Sequence, residues 1–339
     1  MILLDSIYIN NSGGLMLLKY LVDCLEKSNI KVFYLFDKRT EDIFSAIPAD
    51  KRKFLPAGIP ERLKFYTVNY AKYSTVLCFG NLPPPIRIKA KVFVYFHQPL
   101  FLKIPDEFKL KTKLIYLVKQ QVVNMTKHNA DVWLLQSQLM KEQLSKKYRI
   151  DAKKVEILPF YPPILTSENL QNKVERQQNK FLYVSNVAPH KNHERLIEAF
   201  CLAYDKIKQG ELVLTIPESA NAIIQLINQK KSQGYPINNI GFIDRNELAT
   251  QYLSSQYLIF PSLAESFGLG LVEAIDLGCK VIGADLPYTY QVCEPSLTFD
   301  AFNIDSIKKA IITASSQDLP LSKKIINNDA NTLLEMLKN

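Results

Sequence analysis

The chain has 339 residues, 47% of them hydrophobic and 22% charged, with a formal net charge of +9. That is the composition of a globular protein, long enough for one large core or two ordinary ones. There is no run of about 18 apolar residues, and the opening MILLDSIYIN lacks a basic flank, so neither a membrane-spanning helix nor a signal peptide is expected.

The five cysteines, Cys24, Cys78, Cys201, Cys279 and Cys293, contain no C-x-x-C and sit in apolar surroundings. They read as small core residues in a reducing cytoplasm. No D-x-D occurs, which removes the usual sign of a metal-bridged nucleotide-sugar site. His190 and His193 are three apart but have no third ligand nearby, so no metal is expected. Charge is uneven: residues 1–160 hold 26 Lys and Arg against 14 Asp and Glu, and the remainder 16 against 19. A basic half joined to a mildly acidic one points to an anionic partner on one face. No nucleic-acid motif accompanies the charge.

In chain order, Ile2 to Ile9 reads as a strand, Asn10 to Gly14 as a polar glycine loop, and Leu17, Leu18, Leu21, Val22 and Leu25 as one face of a helix. Strands follow at Val32 to Phe36, Thr75 to Phe79 and Val92 to Phe96. The last of these delivers His97 to a strand end, where ligands of open α/β sheets bind. Phe101 to Asn129 interleaves Lys103, Lys109, Lys111, Lys113, Lys119 and Lys127 with Phe108, Leu110, Leu114, Ile115, Leu117, Val118, Val122, Val123 and Met125. Two readings stand: an amphipathic helix on an anionic bilayer, or a core-facing helix with a solvated lysine face. Ala130 to Ser137 and Val155 to Leu158 are further strands, the first followed by a helix over Gln138 to Lys147. Pro159, Pro162 and Pro163 then break the chain.

Residues 164–179 read as a linker between a domain over 1–163 and a second over 180–320. Phe181 to Val184 opens a new sheet. Ser185 to Asn192 forms a loop before a helix with Leu196, Phe200, Ala203 and Ile207 on one face. Strands are expected at Glu211 to Ile216 and Ile240 to Ile243, and helices at Ala220 to Gln233 and Asp244 to Ser255. The final helix, Lys323 to Leu337, is expected to pack back toward the first domain.

The stretch that organises the second half is Ala264 to Asp285, AESFGLGLVEAIDLGCKVIGAD. It lies between apolar strands at Tyr257 to Phe260 and Lys280 to Ala284. A helix is expected from near Phe267, stopped by Gly278 in a left-handed cap. Gly268 and Gly270 bare the first amides of that helix, and such amides suit a phosphate. Glu265 and Glu273 flank the turn. Glu273 stands among Leu271, Val272, Ala274 and Ile275, where a carboxylate is costly to bury unless something such as a ribose diol hydrogen-bonds to it.

The string E-S-F-G-L-G-L-V-E resembles the E-x7-E motif of the GT4-like (glycosyl transferases group 1) retaining glycosyltransferases, whose fold is GT-B. The resemblance implies an α/β protein of two Rossmann-like doubly wound domains facing across a cleft, the first binding the acceptor and the second a nucleotide-diphosphate sugar. It places the diphosphate on the turn of Ser266, Phe267, Gly268 and Leu269, the ribose on Glu273 and the donor sugar against Glu265. Ser185 to Asn192 resembles the family's G-R-L-x-x-x-K stretch: Lys191 matches the lysine, while Asn186 stands where the family has arginine. Arg195 and Arg245 are possible substitutes. Gly13 and Gly14 resemble the loop that closes over the diphosphate, and His97 the histidine that contacts the donor sugar. Catalytic roles then fall to Glu265, His97 and Lys191, with no cofactor beyond the donor. The implied setting is the cytoplasmic face of a bacterial membrane and a lipid-linked saccharide acceptor of surface polysaccharide assembly. Two alternatives stay open: an inverting transferase or sugar-nucleotide epimerase, and a non-catalytic nucleotide-sugar binder.

Overall fold

The computed structural model describes residues 1–69, 71–105, 108–164 and 174–338. The chain divides into two compact units, Met1–Pro162 with Asn327–Asn339, and Pro163–Ile326. Most of the segment assigned as linker, residues 165–173, lies outside the described residues.

The first unit runs β1 (Ile2–Asp5), α1 (Ser12–Glu26), β2 (Val32–Asp37), β3 (Arg52–Leu55), α2 (Ile59–Asn69), β4 (Thr75–Cys78), β5 (Lys91–Phe96), α3 (Leu110–Thr126), β6 (Val132–Leu135), α4 (Gln138–Tyr148) and β7 (Val155–Ile157). Its strands form one parallel sheet in the order β3-β2-β1-β4-β5-β6-β7, so the order reverses between β1 and β4. The apolar runs of β4 and β5 are buried on both faces, as parallel strands covered by helices must be. Trp133, Phe96, Val123 and Leu144 belong to its core.

Several boundaries differ from expectation. Strand β1 ends at Asp5 rather than Ile9, because Tyr8 turns the chain with φ +85°. Helix α1 starts at Ser12, so Gly13 and Gly14 lie in its first turn and not in a loop. Strand β3 and helix α2 were not read from the sequence. Strand β3 is held by its pairing with β2, and α2 by a buried ion pair: Arg62 Nε donates to Asp5 Oδ2 (2.8 Å) and its other nitrogens to the carbonyls of Pro83 and Leu82, while Tyr66 OH donates to the same Asp5 oxygen (2.7 Å). Each nitrogen of this buried guanidinium has an acceptor, which is what makes its burial tolerable.

The second unit runs β8 (Gln177–Tyr183), α5 (His193–Ile207), β9 (Glu211–Leu214), α6 (Asn221–Ser232), β10 (Ile237–Asn239), α7 (Arg245–Ser254), β11 (Ser255–Phe260), α8 (Leu269–Asp276), β12 (Lys280–Ala284), α9 (Pro287–Tyr290), β13 (Cys293–Glu294), β14 (Leu297–Phe299), α10 (Ile304–Ser316) and β15 (Lys323–Lys324). Six strands form a parallel sheet, β10-β9-β8-β11-β12-β14, whose order reverses between β8 and β11. Strands β13 and β15 pair separately, antiparallel. Strand β8 begins at Gln177, inside the segment expected to be linker. Ile240 to Ile243, expected as a strand, is a loop after β10, with Gly241 at φ +71°. The last helix, α11 (Ala330–Lys338), starts seven residues later than expected because Lys323–Lys324 is a strand. It belongs to the first unit, where Asp329 N donates to Pro159 O.

The two carboxyl-end crevices at the strand-order reversals are the ligand sites that doubly wound sheets offer. In the second unit the crevice is flanked by the loops after β8 and β11, which carry Lys191 and Glu265.

Candidate functional site

Helix α8 begins at Leu269 and not at Phe267, because Gly268 adopts the left-handed conformation (φ +79°, ψ 55°). A Cβ at Gly268 would lie 2.9 Å from Leu271 Cδ1, so conformation and space both require glycine there. Gly268 has no side chain to cap this helix; Leu271 N donates to Gly268 O, and the Leu269 and Gly270 amides before it lack intrahelical partners by construction. Phe267 is buried, so its side chain anchors the turn and only its backbone is available to a ligand. Ser266 and Leu269 are half-buried. At the far end, Gly278 (φ +78°) closes the helix as expected, with Cys279 N donating to Ala274 O.

Glu273 is 4% exposed. The structure supplies the partners that the sequence left unnamed. Arg245 Nη1 donates to Glu273 Oε1 (2.9 Å) and Tyr252 OH to Oε2 (3.2 Å). Burial pushes the Glu273 carboxyl pKa up, and Arg245 and Tyr252 only partly offset this. Arg245 is the first residue of α7. There Asp244 accepts from Asn246 N and Glu247 N and forms a capping box with Glu247. The D-R-N-E string was the legible signal for that helix start. Nothing in the sequence singled out Tyr252.

Glu265 is ion-paired with Lys191, both side chains being largely buried. Lys191 ends a short turn, Pro189–Lys191, and its carbonyl accepts from Tyr183 OH (2.8 Å). His190 O accepts from Leu263 N (2.7 Å) and Ser262 Oγ (3.2 Å), so the loops after β8 and β11 are joined through backbone as well as charge. Asn192 is left-handed (φ +61°), and its amide donates to Pro261 O and Ala301 O. Its Oδ1 accepts from Arg195, which engages that candidate cation away from the pair. Asn186 is exposed, and its carbonyl accepts from Ser185 Oγ.

His193 opens α5, buried against the Tyr183 ring (5.0 Å between centroids). Its Nε2 has no hydrogen-bond partner among the described residues. Burial, then the Lys191 charge, holds its pKa down at about 4. No cluster of three His, Cys, Asp or Glu suited to a metal occurs among the described residues.

In the first unit Gly14 and His97 are brought together: a Cβ on Gly14 would lie 3.1 Å from His97 Cε1, whereas Gly13 faces open space. His97 N donates to Asn81 Oδ1 (2.6 Å), and its ring packs on Phe79 and Tyr95. His97 Nε2 lies 3.1 Å from Phe79 O and 3.3 Å from Asn81 Nδ2. The shorter contact is to a group that only accepts, which makes Nε2 the donor and leaves Nδ1 as an acceptor. Burial lowers the His97 pKa to about 4, so the ring is neutral at pH 7.

Residues 167–332 match the family described as glycosyl transferases group 1. The second half of this chain is similar to that family. The match covers the uncapped α8 turn and both motif glutamates.

Among curated proteins, the chain is 26% identical over 222 residues to the O-antigen chain mannosyltransferase RfbU of Salmonella typhimurium, covering 64% of this chain and 58% of RfbU. It is 24% identical over 199 residues to the lipopolysaccharide glucosyltransferase WaaG of Escherichia coli, covering 56% of this chain and 48% of WaaG. These matches span about half the length of the two relatives. The solved structure of WaaG superposes with a TM-score of 0.70 at 14% identity, over 93% of this chain and 90% of that one. A structure of HepE from Anabaena in complex with UDP and glucose superposes with a TM-score of 0.66 at 15% identity, over 99% and 94%. With two parallel Rossmann-like units, the fold is GT-B.

Proposed function

We propose that the chain is a retaining glycosyltransferase. It moves a hexose or deoxyhexose from a nucleotide-diphosphate sugar to a saccharide acceptor, lipid-linked, in the assembly of O-antigen, lipopolysaccharide or capsule. The observation that carries this reading is the arrangement at the β8–β11 crevice: the uncapped start of α8, with the Glu265–Lys191 pair on one side and buried Glu273 one turn in. The hexosyl and polysaccharide parts draw on the names of RfbU and WaaG, and the nucleotide on the HepE complex.

In this reading the diphosphate lies on the first amides of α8 and on Lys191, the ribose hydroxyls donate to Glu273, and Glu265 orients the sugar. The acceptor oxygen bonds to the anomeric carbon on the face the diphosphate leaves. The bond from that carbon to the phosphate oxygen breaks with its electrons going to the diphosphate, which also takes the acceptor's proton. Lys191 and the amides stabilise the growing charge on the leaving group, so positioning and electrostatics do most of the catalysis. His97, neutral with Nδ1 as an acceptor, suits a hydrogen bond from a sugar hydroxyl; a pKa near 4 makes it a weak general base. We take the reaction to run without a metal, since the chain has no D-x-D, and activity is expected to survive EDTA.

The first unit adds a docking surface. Leu110, Leu114, Leu117, Val118 and Met125 on α3 are exposed, among the lysines of residues 103–127. The core-facing alternative accounts only for Val123 and Gln120, the buried positions. An anionic bilayer, at the inner face of the cytoplasmic membrane, matches both the apolar stripe and the charge. Among the described residues no helix is long and apolar enough to cross a membrane.

The test is a melting-temperature screen with UDP-, GDP- and dTDP-sugars, wild type beside Glu273→Gln. A ligand that raises the wild-type Tm and loses that effect in the variant supports the donor site. No shift at millimolar concentration sinks it. A non-catalytic nucleotide-sugar binder is the reading that Asn186 favours, and slow release of free sugar from the donor argues against it.

A further inference from the structure

We propose that Arg245 is a diphosphate-binding cation of this chain, replacing the one absent at Asn186, and that it is parked on Glu273 until the nucleotide arrives. The inference rests on the donor reading above.

The loop after β8 brings one cation, Lys191, to the crevice; Asn186 is neutral and exposed, and Arg195 is held by Asn192. Arg245 comes from a different element. The capping box at Asp244 fixes its backbone. Its Nη1 donates to Glu273 Oε1, and its Nη2 lies 3.3 Å from Pro163 O.

Glu273 lies in the second turn of α8, and helical side chains lean back over the preceding turn. The contacts bear this out. Tyr252 OH, which donates to Glu273 Oε2, lies only 3.3 Å from where a Gly270 Cβ would stand, and Gly270 is the second residue of the helix. The carboxylate therefore sits beside the first turn of α8, and in this proposal the guanidinium bonded to its other oxygen is within reach of a diphosphate on the amides there. Arg245 is 24% exposed and Glu273 5% by side chain, so of the two it is the arginine that is open to solvent.

An exchange follows from the hydrogen-bond inventory. A carboxylate only accepts, a ribose diol donates twice, and a guanidinium only donates. When the ribose takes the place of Arg245 on Glu273, the buried carboxylate stays matched. The released guanidinium then meets the diphosphate in a charge-assisted contact. A nucleoside alone displaces the arginine without giving it an anion. The diphosphate and nucleoside parts of the donor should therefore bind with positive coupling through Arg245.

The experiment measures affinities of UDP and GDP, of uridine and guanosine, and of dTDP and thymidine, whose deoxyribose offers Glu273 a single hydroxyl, for the full chain by titration calorimetry. Wild type is compared with Arg245→Gln, Glu273→Gln and the double variant. For the diphosphate that binds wild type, Arg245→Gln is expected to lose at least about ten-fold in affinity, while the matching nucleoside binds as well as before or better. Arg245→Gln leaves Glu273 buried without a cation and is expected to lose stability; the double variant removes both charges. The loss on going from Glu273→Gln to the double variant should again be at least about ten-fold for the diphosphate and absent for the nucleoside. Equal losses for both ligands, or diphosphate affinities within two-fold across either pair, would make Arg245 a structural partner of Glu273 only and overturn the proposal. Diphosphate binding indifferent to Arg245 leaves the donor reading standing, whereas wild type that binds none of the nucleotides removes both.

Discussion

Lys191 Nζ and Glu265 Oε1 are hydrogen-bonded although 74 residues separate them in the chain. The pair holds each charge at the crevice without a ligand, so little reorganisation is needed when a phosphate arrives, and it couples two loops that the sheet only brings near each other. Lys191→Met should lower kcat by about 10²-fold, the scale of losing one leaving-group contact. It should also cost about 1–3 kcal/mol of stability, because Glu265 is left largely buried without its cation. Steady-state kinetics beside urea unfolding separate the two effects. A variant with normal kcat would remove Lys191 from the chemistry.

Gly268→Ala combines a left-handed φ with a 2.9 Å contact to Leu271. It should destabilise by at least about 1–2 kcal/mol and turn the first α8 amides away from a phosphate. Gly234→Ala is the control. Its φ is also positive, +90°, but a Cβ there meets nothing within 4 Å. Its cost should be about 1 kcal/mol with nucleotide affinity unchanged. Equal effects of the two substitutions on nucleotide affinity would count against the α8 turn as the phosphate site.

His193 predicts an acid limb in stability. Its folded pKa is down at about 4 from the usual 6.5, so at intermediate pH the unfolded chain binds the proton more readily. The stabilisation is therefore complete above about pH 6.5 and lost as pH falls toward 4, by up to about 3 kcal/mol. His97, also near 4, adds a limb of the same sign in the first unit. His193→Phe keeps a ring against Tyr183 and should flatten the second unit's limb while changing little at pH 7.5. Urea unfolding at pH 4.5 and 7.5 gives the comparison, and an unaltered pH slope would show that His193 is not its source.

On α3, Leu114→Gln with Val118→Gln removes two exposed apolar groups and no buried one. Melting temperature should stay within about 2 °C, since surface substitutions of this kind are near neutral. Co-sedimentation with vesicles containing phosphatidylglycerol should fall several-fold, and neutral vesicles should bind neither protein. Undiminished co-sedimentation would assign the charge alone, or another face, to the membrane.

The sequence by itself determined the local grammar. Apolar runs of four to six residues gave the central strands of both parallel sheets, though not β3, β10, β13 or β15, because parallel strands covered on both faces need no alternation. Gly278 marked the end of α8, since a left-handed cap admits few other residues. The E-x7-E string pointed to the second unit's candidate site. Tertiary structure decided what no spacing encodes. Tyr8, Gly268 and Asn192 take left-handed conformations that moved the ends of β1 and α8 and shaped the turn after Lys191. The partners of buried charge were also invisible. Asp5 meets Arg62 from 57 residues away, Glu265 meets Lys191 from 74, and Glu273 meets Arg245 from 28. A buried carboxylate announces in the sequence that it needs donors. Which donors it gets depends on where the sheet order places the neighbouring loops, and that is a property of the folded chain.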